Sequence, residues 1–197
     1  MSTPRQRYRE QVRREIKQAA LARIGAGEPL SLTAVARRLG MTGPALYKYF
    51  ASRDELIAEL VQDGLGELAA AVRAGALPEG GPRERLHALA RAFHGWAVAR
   101  PGLFLLVSSA PTLAGVEEVL GPFLPVFAQA RSAPALDGLP AWAHVQEGDP
   151  VAALTGAVLV WTRLQGVLSV ELRGPFAGVG TALLAAEIDS LADTMGL

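Results

Sequence analysis

The chain has 197 residues, half of them hydrophobic and 19% charged, with no cysteine and a formal net charge of zero. That is long enough for one sizeable core, or a core with a smaller appendage, and too apolar and too neutral to be disordered. Without cysteine there is no disulfide framework, thiolate metal site or thiol nucleophile. The longest uncharged runs, 101–116, 150–162 and 174–186, are shorter than the ~18–20 residues of a membrane-spanning helix, and the start has no apolar signal core. A soluble cytoplasmic protein with no membrane partner is the expectation. Arginine outnumbers lysine 17 to 2 and asparagine is absent, a codon signature of a GC-rich bacterial genome.

In chain order the pattern is helix after helix. Apolar Val12, Ile16, Ala19, Ala20 and Leu21 recur with helical period over 8–24, and Gly25 and Gly27 stop the run. A short segment at 33–39, apolar at Val35, Ala36 and Leu39, ends at Gly40. Thr42 caps a second short helix with Pro44 in its first turn. Ser52 and Glu55 form a capping box that opens a long helix over about 53–74. The breaker at 75–82 (GALPEGGP) marks a boundary.

Beyond it, Leu86, Leu89, Ala90, Phe93 and Ala97 predict a helix to about Arg100, stopped by Pro101. A short apolar segment at 103–109 follows, then a helix over about 116–131 that Pro122 and Pro125 must bend or break. Residues 132–148 read as a long loop. Asp149 caps a helix with Pro150 at its first position, running to Arg173 before Gly174 and Pro175. A last helix spans about 178–194. The fold class is all-α, about nine helices. The chain divides into residues 1–56, a connecting helix to about 74, and a second region over 75–197.

The neutral total hides an asymmetry: residues 1–56 carry 11 Lys/Arg against five Asp/Glu, a net +6, and the remainder carries −6. A basic end on an acidic body fits a polyanionic partner at one end, although a solvated basic face looks the same. The segment 31–50, SLTAVARRLGMTGPALYKYF, supplies the chemistry. Val35, Ala36, Leu39, Leu46 and Phe50 close a small core between two short helices, the arrangement of a helix-turn-helix whose second helix enters the major groove. Gly43, Pro44, Tyr47, Lys48 and Tyr49 remain outward. The short residues permit close approach to base edges, and the hydroxyls and ammonium suit phosphate oxygens. Thr33 and Arg53 lie at helix starts, which also favour phosphate. The stretch Arg5 to Arg9 reads as an arm that adds minor-groove or backbone contacts.

The residues VARRLGMTGPALYKYFASRDEL resemble the DNA-binding region of TetR-type bacterial transcriptional regulators, at Val35, Ala36, Gly40, Leu46, Tyr47, Phe50, Arg53 and Leu56. The resemblance implies DNA contacts at Thr33, Thr42, Gly43, Tyr47, Lys48, Tyr49 and Arg53. It also implies a C-terminal ligand and dimer domain and a homodimer on double-stranded DNA with a palindromic operator. Near the C-terminus, Trp161 through Gly166 resembles the Trp-x-x-x-His-Gly signature of one TetR subgroup, with Gln165 in place of its histidine.

Aromatics concentrate in 93–161: Phe93, Trp96, Phe104, Phe123, Phe127, Trp142 and Trp161. They read either as core or as the wall of an apolar cavity in which His94, Arg163 and Gln165 orient a small apolar or aromatic effector. The last two helices present Ala153, Ala157, Leu164 and Leu168, and Leu184, Ile188 and Leu191, as a dimer interface or as faces that close the chain's own core. Gly156 and Gly166 permit close helix approach there. A catalytic reading has no support. No GxSxG, HExxH, P-loop or complete GxGxxG is present. His87 and His94 lie seven apart, about 10.5 Å along a helix, too far to chelate one metal alone. No cofactor is expected. The leading reading is a ligand-responsive repressor released from its operator by the effector; the alternative is a helical small-molecule-binding or interaction protein without effector-gated operator binding.

Overall fold

The computed structural model describes residues 3–110, 114–138, 147–174 and 178–197. Among these, every regular element is helical: α1 (Pro4–Gly25), α2 (Leu32–Arg38), α3 (Gly43–Leu46), α4 (Arg53–Ala74), α5 (Pro82–Ala99), α6 (Pro101–Ser108), α7 (Val116–Leu120), α8 (Leu124–Phe127), α9 (Pro150–Leu172) and α10 (Gly180–Met195). A 3-10 turn at Gly121–Phe123 joins α7 to α8. Counted once, that interrupted stretch gives the nine helices of the sequence reading. Pro122 and Pro125 break it, because neither can donate the amide hydrogen bond of a continuous helix. Of the expected loop at 132–148, the described residues are irregular and exposed.

Helix α1 begins four residues before the apolar period does. Thr3 caps it, accepting from the Gln6 N–H at 3.3 Å while the Gln6 side chain accepts from the Thr3 N–H at 2.7 Å, and Pro4 occupies the first helical position. The basic stretch from Arg5 to Arg9 is therefore helical. The segment is thus a helix, with a rise of about 1.5 Å per residue, in place of an extended arm.

Contacts divide the chain into two units. The N-terminal unit comprises residues 1–64 and 101–109; the second comprises 65–100 and 110–197. In the first, Val12, Ile16, Ala20, Val35, Ala36, Leu46, Phe50, Leu56 and Leu60 form one buried core. Helix α6, grouped with the C-terminal region in the sequence reading, packs here instead. Leu106 lies against this core. Gly64 of α4 leaves room for α6: a β-carbon there would stand 2.9 Å from Val107 and 3.0 Å from Leu103.

In the second unit α5, α7, α8, α9 and α10 surround a core that includes Phe93, Phe123, Phe127, Val160, Leu164, Leu184, Ile188 and Met195. Helix α10 returns along α9, with Gly180 against the Glu171 carboxylate and Arg163 reaching Glu187 at 2.9 Å. Gly156 serves this interior rather than an interface between chains. A β-carbon there would fall 2.2 Å from a Phe127 ring carbon, so α8 seats its aromatic ring on bare α9 backbone. Asp149 caps α9 as expected, accepting from the Val151 N–H at 2.8 Å. The last turn of α10 is closed by the segment after α8, where the Ser132 hydroxyl donates to the Thr194 carbonyl and Arg131 Nε to the Gly196 carbonyl, each at 2.8 Å.

The residues read as a dimer interface, or as faces that close the chain's own core, lie in the interior of this unit. Ala157, Leu164, Leu168, Leu184, Ile188 and Leu191 are all buried within a single chain, none more than 3% exposed. Ala153 is buried in the same way. Their apolar stripe packs within the chain's own core. By length and composition α9 could cross a membrane, but half of its apolar window lies inside this unit.

Candidate nucleic-acid interface

The turn between α2 and α3 passes through Gly40 at φ +65°, a conformation residues with a β-carbon rarely adopt. Thr42 then caps α3, its hydroxyl accepting from the Ala45 N–H at 3.4 Å, with Pro44 in the first turn. Helix α3 has only four residues, but its hydrogen bonding continues as a turn, the Phe50 N–H donating to the Leu46 carbonyl at 3.2 Å. Leu46 and Phe50 point inward and have no exposed surface. One inward residue per turn fixes which residues face out.

Thr42, Pro44, Tyr47 and Lys48 are exposed, as is Thr33 on α2. Gly43 is half-buried, with nothing within 4 Å of the place a β-carbon would take, so another molecule can approach its backbone. Tyr49 differs from its neighbours: it is half-buried and packs against the N-terminal core. Arg53 is half exposed, but its Nε donates to the Leu30 carbonyl at 3.0 Å and its Nη1 lies 3.5 Å from Asp54. It ties the start of α4 to the connection before α2.

Sequence reasoning missed what α1 contributes. Arg9, Arg13 and Lys17 recur every fourth residue on one face. Arg9 donates to the Lys48 carbonyl at 3.4 Å, and Arg13 donates to the Tyr49 carbonyl and to Glu59 on α4. The Arg13 guanidinium also lies 4.2 Å above the Phe50 ring centroid. Lys17 reaches Asp63 at 2.7 Å and Glu59 at 2.9 Å. Burial alone would lower the Lys17 pKa, but the hydrogen bonds to Asp63 and Glu59 together outweigh it and raise it above the usual lysine value. The i,i+4 spacing was visible in the sequence; its partners, dozens of residues away, were not.

The C-terminal candidates are mostly interior. Phe93, Phe123 and Phe127 have no exposed surface, Trp161 is half-buried and meets Phe93 edge-on at 5.8 Å, and Gln165 is half-buried. Phe104 is buried in α6, within the N-terminal unit. Trp142 lies outside the described residues. The Trp96 indole N–H and the Thr155 hydroxyl are buried with no hydrogen-bond partner among the described residues. Each described histidine meets a carboxylate: His87 and Asp189 at 2.9 Å, His94 and Glu171 at 2.7 Å. Among the described residues no three His, Asp or Glu side chains are grouped to hold a metal.

Residues 27–60 match the model of "Bacterial regulatory proteins, tetR family", and residues 86–195, more than half of the chain, match that of "Tetracyclin repressor-like, C-terminal domain". The chain belongs to the TetR family. The solved structure of SCO4313 is 37% identical, with a TM-score of 0.77 over 97% of this chain and 100% of that one. PfmR of Thermus thermophilus, a TetR family transcriptional regulator, shares the fold at 22% identity, with a TM-score of 0.61 over 90% of this chain and 96% of its own. The HTH-type transcriptional regulators Mb1846 of Mycobacterium bovis and Rv1816 of Mycobacterium tuberculosis are 40% identical over 85 residues, 42% of this chain and 36% of theirs. The alignment thus spans about a third of those mycobacterial proteins. Both matched models describe bacterial regulatory proteins and not enzymes. In that light the outward edge of α3 is the candidate recognition surface, and the buried C-terminal aromatics belong to the family's second domain.

Proposed function

We propose that the protein is a cytoplasmic repressor that binds a palindromic operator as a homodimer and is released by a small apolar effector. The observation that carries the DNA reading is the edge of Thr42, Pro44, Tyr47 and Lys48, exposed above a closed core in the basic part of the chain. Thr42 and Gly43, at the start of the recognition helix, meet bases; Tyr47 and Lys48 meet phosphates, with Thr33 and the free part of Arg53 beside them. Tyr49 acts through its packing. The functional division follows the sequence, with DNA binding in 1–56, a connecting helix to about 74, and ligand binding and dimerisation in 75–197.

Dimerisation uses the outward faces of α9 and α10. On α9, Val151, Leu154, Val158, Thr162, Gln165 and Ser169 share a face without a charge, and the two charged residues of this helix, Arg163 and Glu171, are engaged by Glu187 and His94. On α10 the exposed residues include Ala182, Ala185 and Ala186, small enough for close helix approach. A two-fold pairing of these faces explains a 23-residue helix that shows water no charge along one side, and it imposes a palindromic operator.

The effector site involves Phe93, Trp96, Phe123, Phe127, Trp161 and Gln165 of the C-terminal unit. A buried indole N–H can only donate, and leaving it unpaired costs about 1–3 kcal/mol. The unpaired Trp96 N–H therefore favours an effector that is apolar and carries one hydrogen-bond acceptor. Because Phe93, Phe123 and Phe127 are closed here, such a ligand selects a repacked state, and by linkage it and DNA weaken each other equally. The test is titration of a duplex selected from a random pool, by fluorescence anisotropy over a range of salt, followed by calorimetry of a screened ligand with and without that duplex. A steep salt slope and a ligand affinity reduced by DNA are expected. Equal ligand affinity in both states removes the switch, and absence of a salt-dependent complex removes the DNA reading.

A further inference from the structure

We infer that Arg13 is a positioning residue for DNA recognition: it sets the pose of the Tyr47 and Lys48 edge by holding the backbone beneath it, without touching DNA. The inference rests on the reading of that edge as the DNA-facing one. Helix α3 ends at Leu46, and the carbonyls of Lys48 and Tyr49 just beyond it accept from Arg9 and Arg13 of α1.

The Arg13 guanidinium makes three different contacts at once. One nitrogen donates to the Tyr49 carbonyl, another to Glu59 on α4, and the planar group covers the Phe50 ring at 4.2 Å. Glu59 is itself held by Lys17 at 2.9 Å. Each contact acts on a different degree of freedom. The carbonyl bond fixes the peptide one residue past Lys48, the ring contact fixes the inward anchor of the turn, and the ion pair references both to α4. A fork of donors with a flat face can do this, whereas an ammonium is a point charge without a plane. The Arg13 side chain is 25% exposed, turned into these partners while Lys48 and Tyr47 face outward.

Positioning and phosphate contact predict different outcomes when the charge is conserved. Arg13→Lys keeps the net charge but loses the fork and the plane. The ratio of affinity for a selected duplex to affinity for an unrelated duplex should fall about tenfold, with the slope of log affinity against log salt unchanged. Glu59→Gln frees one side of the guanidinium and should lower the same ratio by a smaller factor, about threefold. Thermal unfolding of each variant shows whether the fold persists. Should Arg13→Lys fail to fold, Glu59→Gln decides. Wild-type specificity in the variant that folds overturns the inference. So does a salt slope reduced by about one in Arg13→Gln, the mark of a lost phosphate contact. Lys48→Ala separates the two readings: if it leaves binding and salt slope unchanged, the assignment of the DNA-facing edge has failed, irrespective of Arg13.

Discussion

Tyr47 in the N-terminal unit is 54% exposed, whereas Phe93, Phe123 and Phe127 in the C-terminal unit have no exposed surface. On the proposed function, the two units divide labour along this line. A surface that reads DNA must match a ligand of fixed shape and charge, so its residues stand outward on short helices with prescribed caps and turns. The C-terminal aromatics, by contrast, look like core because they are core.

The contrast is broken most severely by attacking the interior. Leu184→Asp, 3% exposed in the wild type, buries an unpaired carboxylate and should cost more than about 4 kcal/mol, unfolding the C-terminal unit instead of releasing monomers. Gly156→Ala places a methyl group where the Phe127 ring lies and should cost about 1–3 kcal/mol. Tryptophan fluorescence reports both, since the tryptophans fall at 96, 142 and 161 while the tyrosines fall at 8, 47 and 49. A monomeric, fully folded Leu184→Asp protein would restore the buried stripe as the interface.

The outward faces behave differently. Val158→Glu with Ala185→Glu should leave the melting temperature within a few degrees while giving monomers by light-scattering chromatography. Affinity for a palindromic duplex should drop about 100-fold or more, as the second half-site loses its tether. Dimers that elute unchanged would move the interface elsewhere.

On the DNA edge the effect is smaller and uniform. Lys48→Ala should weaken binding to all duplexes and lower the salt slope by about one, whereas Thr42→Ala should shift sequence preference. The reverse pattern would exchange the roles of the two residues. The smallest effect concerns pH. Asp189 is held below the usual aspartate pKa, first by its hydrogen bond from His87 and then by Arg83. A carboxylate with a depressed folded pKa contributes stability that is fully present above the unfolded pKa and lost as pH falls through the folded one. Wild-type melting should therefore fall more steeply than that of Asp189→Asn below about pH 4; parallel curves would show that the pair carries no linkage.

Legibility in the sequence follows the same division. The helix-turn-helix was readable because Gly40, the Thr42 cap and the inward Leu46 and Phe50 are local features with local causes. The stripe on α9 and α10 was readable as buried, but periodicity cannot tell whether burial is against the same chain or another. Helix α6 is apolar throughout, so nothing in its eight residues says which core it joins. The true start of α1 was missed because a capping box needs only Thr3 and Gln6, which precede any apolar period. Arg9 and Arg13 looked like a solvated basic face, since their partners lie 36 to 46 residues away.

The placement of α6 also bears on how such proteins are made and exchanged. The N-terminal unit is discontinuous: its core is closed by residues 101–109, synthesised only after α5 of the other unit. A nascent chain that has reached the breaker at 75–82 still lacks the Leu103 and Val107 that pack on Gly64. Recombination between regulators at that breaker would likewise pair one parent's α4 with the other parent's α6. If the proposed edge reads DNA, an exchange of specificity that keeps this core intact must carry two separate stretches of the gene, and the short one codes for none of that edge.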